Sequence, residues 1–136
     1  MIADRSEAKR VCDSDCPSKD FAGLDAKGID HVKLGTLHAI LAGVEFDPSF
    51  GSRMLCSRRA DGPWVFEVPP DMVQRLAALT EPQLVSAGQK WAHTEEFSVE
   101  YDHWSVGAVQ QVLRALAGLC KQACNEGRSV LMWMCL

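Results

Sequence analysis

Apolar residues recur at helical spacing, every three or four positions, in four stretches of the chain. Each stretch follows a residue that caps or opens a helix, and these starts are Asp30, Pro70 or Asp71, Thr80 and Ser105. Gly43 and Gly127 end the first and the last helix, and the third runs to about Glu95. The pattern therefore predicts about four helices, of which the last is the longest.

Alternating apolar and polar residues predict a β-hairpin at about 54–68. The segments 54–59 and 64–68 flank a turn-forming stretch from Ala60 to Pro63, so the two strands can pair. In the second strand the even-numbered residues share one face, which we expect to be core. Val65 and Glu67 point the other way.

The segment 130–136 predicts a further strand that is apolar on both sides. One face carries Val130, Met132, Met134 and Leu136, and the other carries Leu131, Trp133 and Cys135. Both faces must therefore be covered. We expect a strand that is either central in its sheet or partly buried in a subunit contact.

The first 28 residues differ from the rest of the chain in composition. They are rich in charged side chains, hold few large apolar groups and contain Pro17, Gly23 and Gly28. We predict a flexible polar tail over 1–28 and a single globular domain over 29–136. The fold class is α+β, with about four helices packed on a small sheet that the hairpin and the C-terminal strand form.

Composition and charge narrow the possible partners. Hydrophobic residues make up 47% of the 136 residues, charged residues 24%, and the formal net charge is -4. The one cationic cluster, Arg53, Arg58 and Arg59, has no interleaved aromatic residue, so we expect no nucleic-acid partner. No secretory signal and no apolar run of membrane-spanning length is present, so we expect a cytoplasmic protein without a membrane partner.

Titratable groups concentrate between Trp91 and Trp104, where His93, Glu95, Glu96, Asp102 and His103 are the candidate catalytic residues. An imidazole beside a carboxylate suits general acid–base catalysis, and two histidines with a carboxylate suit a metal ion. No HExxH or CxxC spacing supports either hypothesis. We prefer a solvent-facing loop whose carboxylates form an acidic patch.

Cys120 and Cys124 are the candidate metal ligands. They lie one helical turn apart, and Cys12 and Cys16 repeat that spacing near the start of the chain. Four thiolates can hold zinc, but Cys120 falls on the apolar stripe of the last helix. We therefore interpret it as a buried small hydrophobe and predict neither a metal nor a cofactor.

These patterns favour a small, non-catalytic protein-interaction module. It would bind through its apolar strand or its acidic patch, either to another protein, as an inhibitor or immunity-type protein does, or to a second copy of itself. The alternative is an enzyme or metal-binding protein with a His–carboxylate site in 91–104. Sequence patterns do not decide whether the protein is an enzyme.

Overall fold

The computed structural model describes residues 1–97 and 104–135. Within them, six α-helices pack with one three-stranded antiparallel sheet, so the predicted α+β class is confirmed. The helices are α1 Ala8–Asp13, α2 Pro17–Asp20, α3 His31–Ala42, α4 Pro70–Ala77, α5 Glu81–Ala92 and α6 Val106–Glu126. The strands are β1 Arg53–Ser57, β2 Trp64–Glu67 and β3 Leu131–Met134. Short 3-10 helices lie at Arg5–Glu7, Pro48–Phe50 and Glu95–Phe97.

The four predicted helices are α3 to α6, and their ends follow the local signals. The Asp30 carboxylate accepts the Lys33 backbone N–H at 2.8 Å, and Gly43 closes α3 with a φ of 71°. Helix α5 ends at Ala92 rather than near Glu95. The Thr94 hydroxyl donates to the Trp91 carbonyl at 2.8 Å, and the chain tightens there into the 3-10 helix.

The sheet has the strand order β1-β2-β3, so the predicted hairpin supplies β1 and β2. A bulge between Met54 and Cys56 shifts the β1–β2 register. The C-terminal strand pairs with β2 and lies at the edge of the sheet rather than at its centre. It is shorter than the predicted 130–136, and Leu136 lies outside the described residues.

Both faces of β3 are nevertheless covered, as its apolar pattern requires. Val130 and Met132 belong to the larger core, whose fully buried members on α3 to α6 include Leu37, Leu76, Trp91, Leu113 and Cys120. Leu131 and Trp133 belong to a smaller core on the other side of the sheet. The sheet is thus sandwiched between helices and a second layer.

That second layer is the N-terminal segment, and it corrects the prediction of a flexible polar tail over 1–28. The segment forms α1 and α2 and buries a few apolar side chains against the sheet: Ala3, Ala8, Val11, Cys12 and Phe21. Backbone hydrogen bonds fix it further, since the Ile2 N–H donates to Ala22 and the Ala3 N–H donates to Ser129. These two short helices account for the difference between the four predicted helices and the six found.

Charged groups fasten the same layer to the sheet. Glu67, on the central strand, is only 4% exposed, and its carboxylate accepts the Arg5 Nε–H at 2.6 Å. Arg128 pairs with Asp4 and Glu7. The face of β2 that carries Val65 and Glu67, which we predicted to lie opposite the core face, is therefore the more deeply buried one, because the N-terminal segment covers it.

Candidate functional site

The outer edge of β3 is only partly paired. On this edge the Leu131 N–H donates to the Met1 carbonyl and the Met1 nitrogen donates to the Leu131 carbonyl, both at 2.8 Å. The backbone carbonyl of Val130, the preceding residue, points the other way, toward the neighbouring chain that follows β2, where it accepts the Val68 N–H at 3.0 Å. Successive residues of an antiparallel strand alternate in this way. Trp133, two residues beyond Leu131, therefore directs its backbone N–H and C=O outward, where they bond to no residue of the described chain.

A cleft runs along this unpaired edge, between β3 and the segment 24–29. It consists of two adjoining cavities of about 100 Å³ and about 370 Å³. Both are lined by Met1, Leu24, Ala26, Ile29 and Trp133. The edge of the strand therefore faces an open space rather than a packed neighbour.

The two cavities differ in chemistry. The smaller has only apolar lining residues, and α6 forms its far wall with Val112, Leu116 and Leu119. The larger adds polar groups at its outer end, among them Asp15, Asp25 and Lys27. An apolar cavity beside a few polar groups is the usual composition of a ligand-binding site.

The side chain of Trp133 supplies a further unpaired donor to this region. Its indole Nε1 is buried, and no hydrogen-bond partner for it exists among the described residues. A buried indole N–H normally finds an acceptor, and leaving one unpaired costs about 1–3 kcal/mol. Trp133 thus carries three polar groups that no described residue pairs with, namely the backbone N–H, the backbone C=O and Nε1.

The predicted site residues in 91–104 do not converge in the described part of that segment. His93 is exposed at the end of α5, and its Nδ1–H donates to the Gln89 carbonyl of the same helix at 2.7 Å. Glu95 is exposed, whereas Glu96 turns inward and accepts the Thr36 hydroxyl at 2.8 Å. Asp102 and His103 lie outside the described residues. Among the residues that are described, no three histidine, cysteine or acidic side chains gather as metal ligands do.

Glu96 is poorly suited to act as a general base. Burial disfavours its charged form, but hydrogen bonds from its own backbone N–H, from Thr94 and from Thr36 outweigh burial and lower its pKa. A general base works best with a pKa near the working pH, and this carboxylate is shifted away from it. Its Oε2 is buried with no hydrogen bond to the described chain.

The cysteines predicted as candidate metal ligands differ in burial and are poorly suited to bind zinc together. Cys120 is fully buried, and burial first, with the nearby Cys124 second, raises the pKa of its thiol to about 12. Zinc binds the thiolate, which this environment disfavours. Cys124, by contrast, is exposed. Burial also raises the pKa of the Cys12 thiol, to about 11. Cys12 belongs to the smaller core, on the other side of the sheet from Cys120.

A histidine–carboxylate pair does exist, but in a place that sequence spacing did not indicate. His38 on α3 donates from Nε2 to the Asp71 carboxylate on α4 at 2.8 Å. The His38 side chain is 6% exposed, lies edge-on to Phe50 and buries its Nδ1 with no partner among the described residues. The pair therefore joins two helices and presents no ring nitrogen to a substrate.

Comparison of the chain with protein-family models, with curated proteins and with solved structures finds no match. In the described residues, no helix combines the length and apolar character that crossing a membrane demands.

The unpaired edge predicts a sharp difference in amide hydrogen exchange between neighbouring residues of β3. Leu131 donates to Met1 and Met132 donates to β2, so both amides should exchange slowly. The Trp133 amide, with no acceptor, should exchange orders of magnitude faster than these two. Residue-resolved exchange by NMR measures this directly, and equal protection of all three amides would contradict an open edge.

The His38–Asp71 pair predicts a pH-dependent contribution to stability. The hydrogen bond from His38 lowers the pKa of Asp71 below its ordinary value of 3.8, so the ionised Asp71 carboxylate stabilises the fold above that pH, and this contribution is lost as pH falls through the lowered value. Asp71→Ala leaves buried His38 unpaired and should cost about 1–3 kcal/mol in urea unfolding at neutral pH.

The difference between wild type and Asp71→Ala should shrink below about pH 3.8. Asp71→Asn is the control, because its amide oxygen still accepts a hydrogen bond but carries no charge. It should lose less stability than the alanine variant. A constant difference between wild type and Asp71→Ala from pH 7 to pH 3 would refute the assigned role of the carboxylate.

Proposed function

We propose that this protein is a non-catalytic protein-interaction module that binds an extended segment of a partner protein as an added strand along β3. The observation that carries the proposal is the outward-facing backbone N–H and C=O of Trp133, which lie at the side of a cleft and bond to none of the residues that the structure describes. Adding a strand to an exposed sheet edge is a recurrent mode of peptide recognition. The main-chain hydrogen bonds give affinity, and the cavities beside the edge give specificity.

The way in which this edge is protected supports the proposal. Proteins usually cover or charge their edge strands, because open edges recruit other chains. Here Met1 pairs with Leu131, yet the strand continues to Trp133 with neither a charged residue nor a proline in Leu131–Met134. The edge is therefore blocked at one end and open at the other.

The polar groups around the cleft support binding rather than catalysis. Its charged groups are the side chains of Asp15, Asp25 and Lys27 and the Met1 amino group, which burial brings to a pKa of about 6 and which already donates to the Leu131 carbonyl. The unpaired groups of Trp133 are hydrogen-bonding groups that do not ionise near neutral pH. His38 is buried away from solvent, and His93 bonds to its own helix. The chemistry offered at this edge is hydrogen bonding and apolar contact.

The shape of the cleft favours a single extended segment over a second folded copy. Residues 24–29 line the side of the cleft across from β3. An occupant must fit between this wall and the strand, which a lone extended chain does. A second copy of this chain brings its own segment 24–29 to the same edge, whereas a lone extended segment brings no such wall.

To test the proposal, a phage library of random seven-residue peptides is panned against the immobilised 136-residue chain. An enriched peptide is then synthesised, and its dissociation constant is measured by fluorescence anisotropy. Trp133→Pro removes the outward N–H without touching a bond to β2, and should weaken binding about tenfold or more, because the peptide carbonyl loses its donor. Trp133→Phe keeps the N–H and should retain most of the affinity.

Amide exchange and light scattering test the proposal independently of the affinity of Trp133→Pro. If Trp133→Pro does not fold, slower exchange of the Trp133 amide on peptide addition supports the added strand, and unchanged exchange overturns it. Light scattering should show a monomer. A dimer that Trp133→Pro dissociates, or a library that yields no enriched peptide, would also overturn the proposal.

A further inference from the structure

The N-terminal residues show how a chain lies on the outer edge of β3. Met1 and Leu131 exchange both hydrogen bonds, and Ile2 forms an antiparallel bridge with Val130. A segment that continues this pairing runs antiparallel to β3 and places one residue opposite Trp133. Its next residue then lies opposite Met132. Because Met1 already occupies the position opposite Leu131, the segment must bend away from the edge at this residue, since its carbonyl carbon would otherwise meet the Met1 nitrogen.

Residues directly opposite each other in an antiparallel pair project their side chains to the same face. Met132 faces the larger core, and it lines the smaller cavity together with Val112, Leu116 and Leu119 of α6. The partner residue opposite Met132 therefore points into this cavity. The residue before it, opposite Trp133, points to the other face and toward the larger cavity.

The size and lining of the smaller cavity define the side chain that it accepts. Its volume is about 100 Å³, and every residue around it is apolar. An apolar cavity of about 150 Å³ is large enough to hold benzene. The smaller volume here suits a branched or linear aliphatic side chain and excludes an indole, while the apolar lining disfavours burial of a charged group.

We infer that the partner segment is antiparallel to β3 and inserts one aliphatic side chain, that of the residue opposite Met132, into the cavity between β3 and α6. This inference rests on the proposed function and specifies its partner. The ligand class is an extended peptide with a valine, isoleucine, leucine or methionine at that position. Isolated aliphatic molecules lack the backbone groups that pair with Trp133.

The test uses the peptide enriched by the 136-residue chain and a set of its single substitutions. Replacing the aliphatic residue by alanine should weaken binding about 10- to 100-fold, as expected for losing one buried aliphatic side chain. Replacing it by tryptophan should weaken binding at least as much. Alanine at the neighbouring positions, which face away from the cavity, should change affinity only a few-fold.

Variants of the protein test the same cavity from its walls. Val112→Phe fills it from α6, and Ala26→Leu narrows it from the segment 24–29. Both should weaken binding of the aliphatic peptide about tenfold or more and bring its affinity close to that of the alanine peptide. Val85→Phe is the matched control, since Val85 is exposed on α5 and does not line the cavity. It should bind as wild type does.

The outcomes separate this inference from the proposed function. A flat substitution profile with wild-type binding by Val112→Phe and Ala26→Leu overturns the inference, and the proposed function stands if Trp133→Pro still weakens binding about tenfold or more. Insensitivity to Trp133→Pro overturns the proposed function and the inference with it. Two cavity-filling variants are used so that the test still stands if one of them does not fold. Urea unfolding of each variant shows which of them retains the fold.

Discussion

The fold depends on one constraint, which is that β3 has no polar face. A sheet that packs helices on one side usually leaves its other side to water, but here Leu131 and Trp133 need a cover as much as Val130 and Met132 do. The four longer helices cover one side, and the N-terminal segment covers the other. That segment also supplies the charge that Glu67 requires. A carboxylate this deeply buried on a central strand is strongly destabilising without a partner, and Arg5 is its partner.

Local signals in the sequence were enough to predict the helices and the hairpin. Asp30, Thr80, Ser105 and the glycines that end α3 and α6 act within one helical turn, so their effect does not depend on distant contacts. The alternation in 130–136 also indicated correctly that two faces must be covered.

The same reasoning did not reveal what provides the second cover. Within residues 1–28 the buried side chains are few, and α1 and α2 are too short to show a helical period or to be stable alone. Their order comes from packing against Val65 and Leu131, which no local pattern encodes. The burial of Glu67 follows from the same contact, because alternation assigns a carboxylate to the solvent face until another layer covers it.

The candidate site was still harder to predict. Sequence motifs are sets of side chains, so the sequence predicts candidate sites at the histidines and carboxylates of 91–104 and at the paired cysteines. The groups that make the β3 edge distinctive are the backbone N–H and C=O of Trp133, which every residue type except proline possesses. They become a site only because Met1 covers the edge at Leu131 and the segment 24–29 lines the space beyond it. The apolar character of 130–136 was the one signal in the sequence that pointed to this strand.

The coverage of β3 by the N-terminal segment is tested most directly by native-state hydrogen exchange in increasing denaturant. The Ile2 and Ala3 amides donate to Ala22 and Ser129 at 2.8 Å and 3.1 Å, whereas the Met132 amide lies within the sheet. If the segment is an integral layer, these three amides exchange with opening free energies that agree within about 1 kcal/mol, because they open together. If the Ile2 and Ala3 amides exchange at the rate of an unstructured chain while the Met132 amide stays protected, the N-terminal segment is not an integral layer over β3.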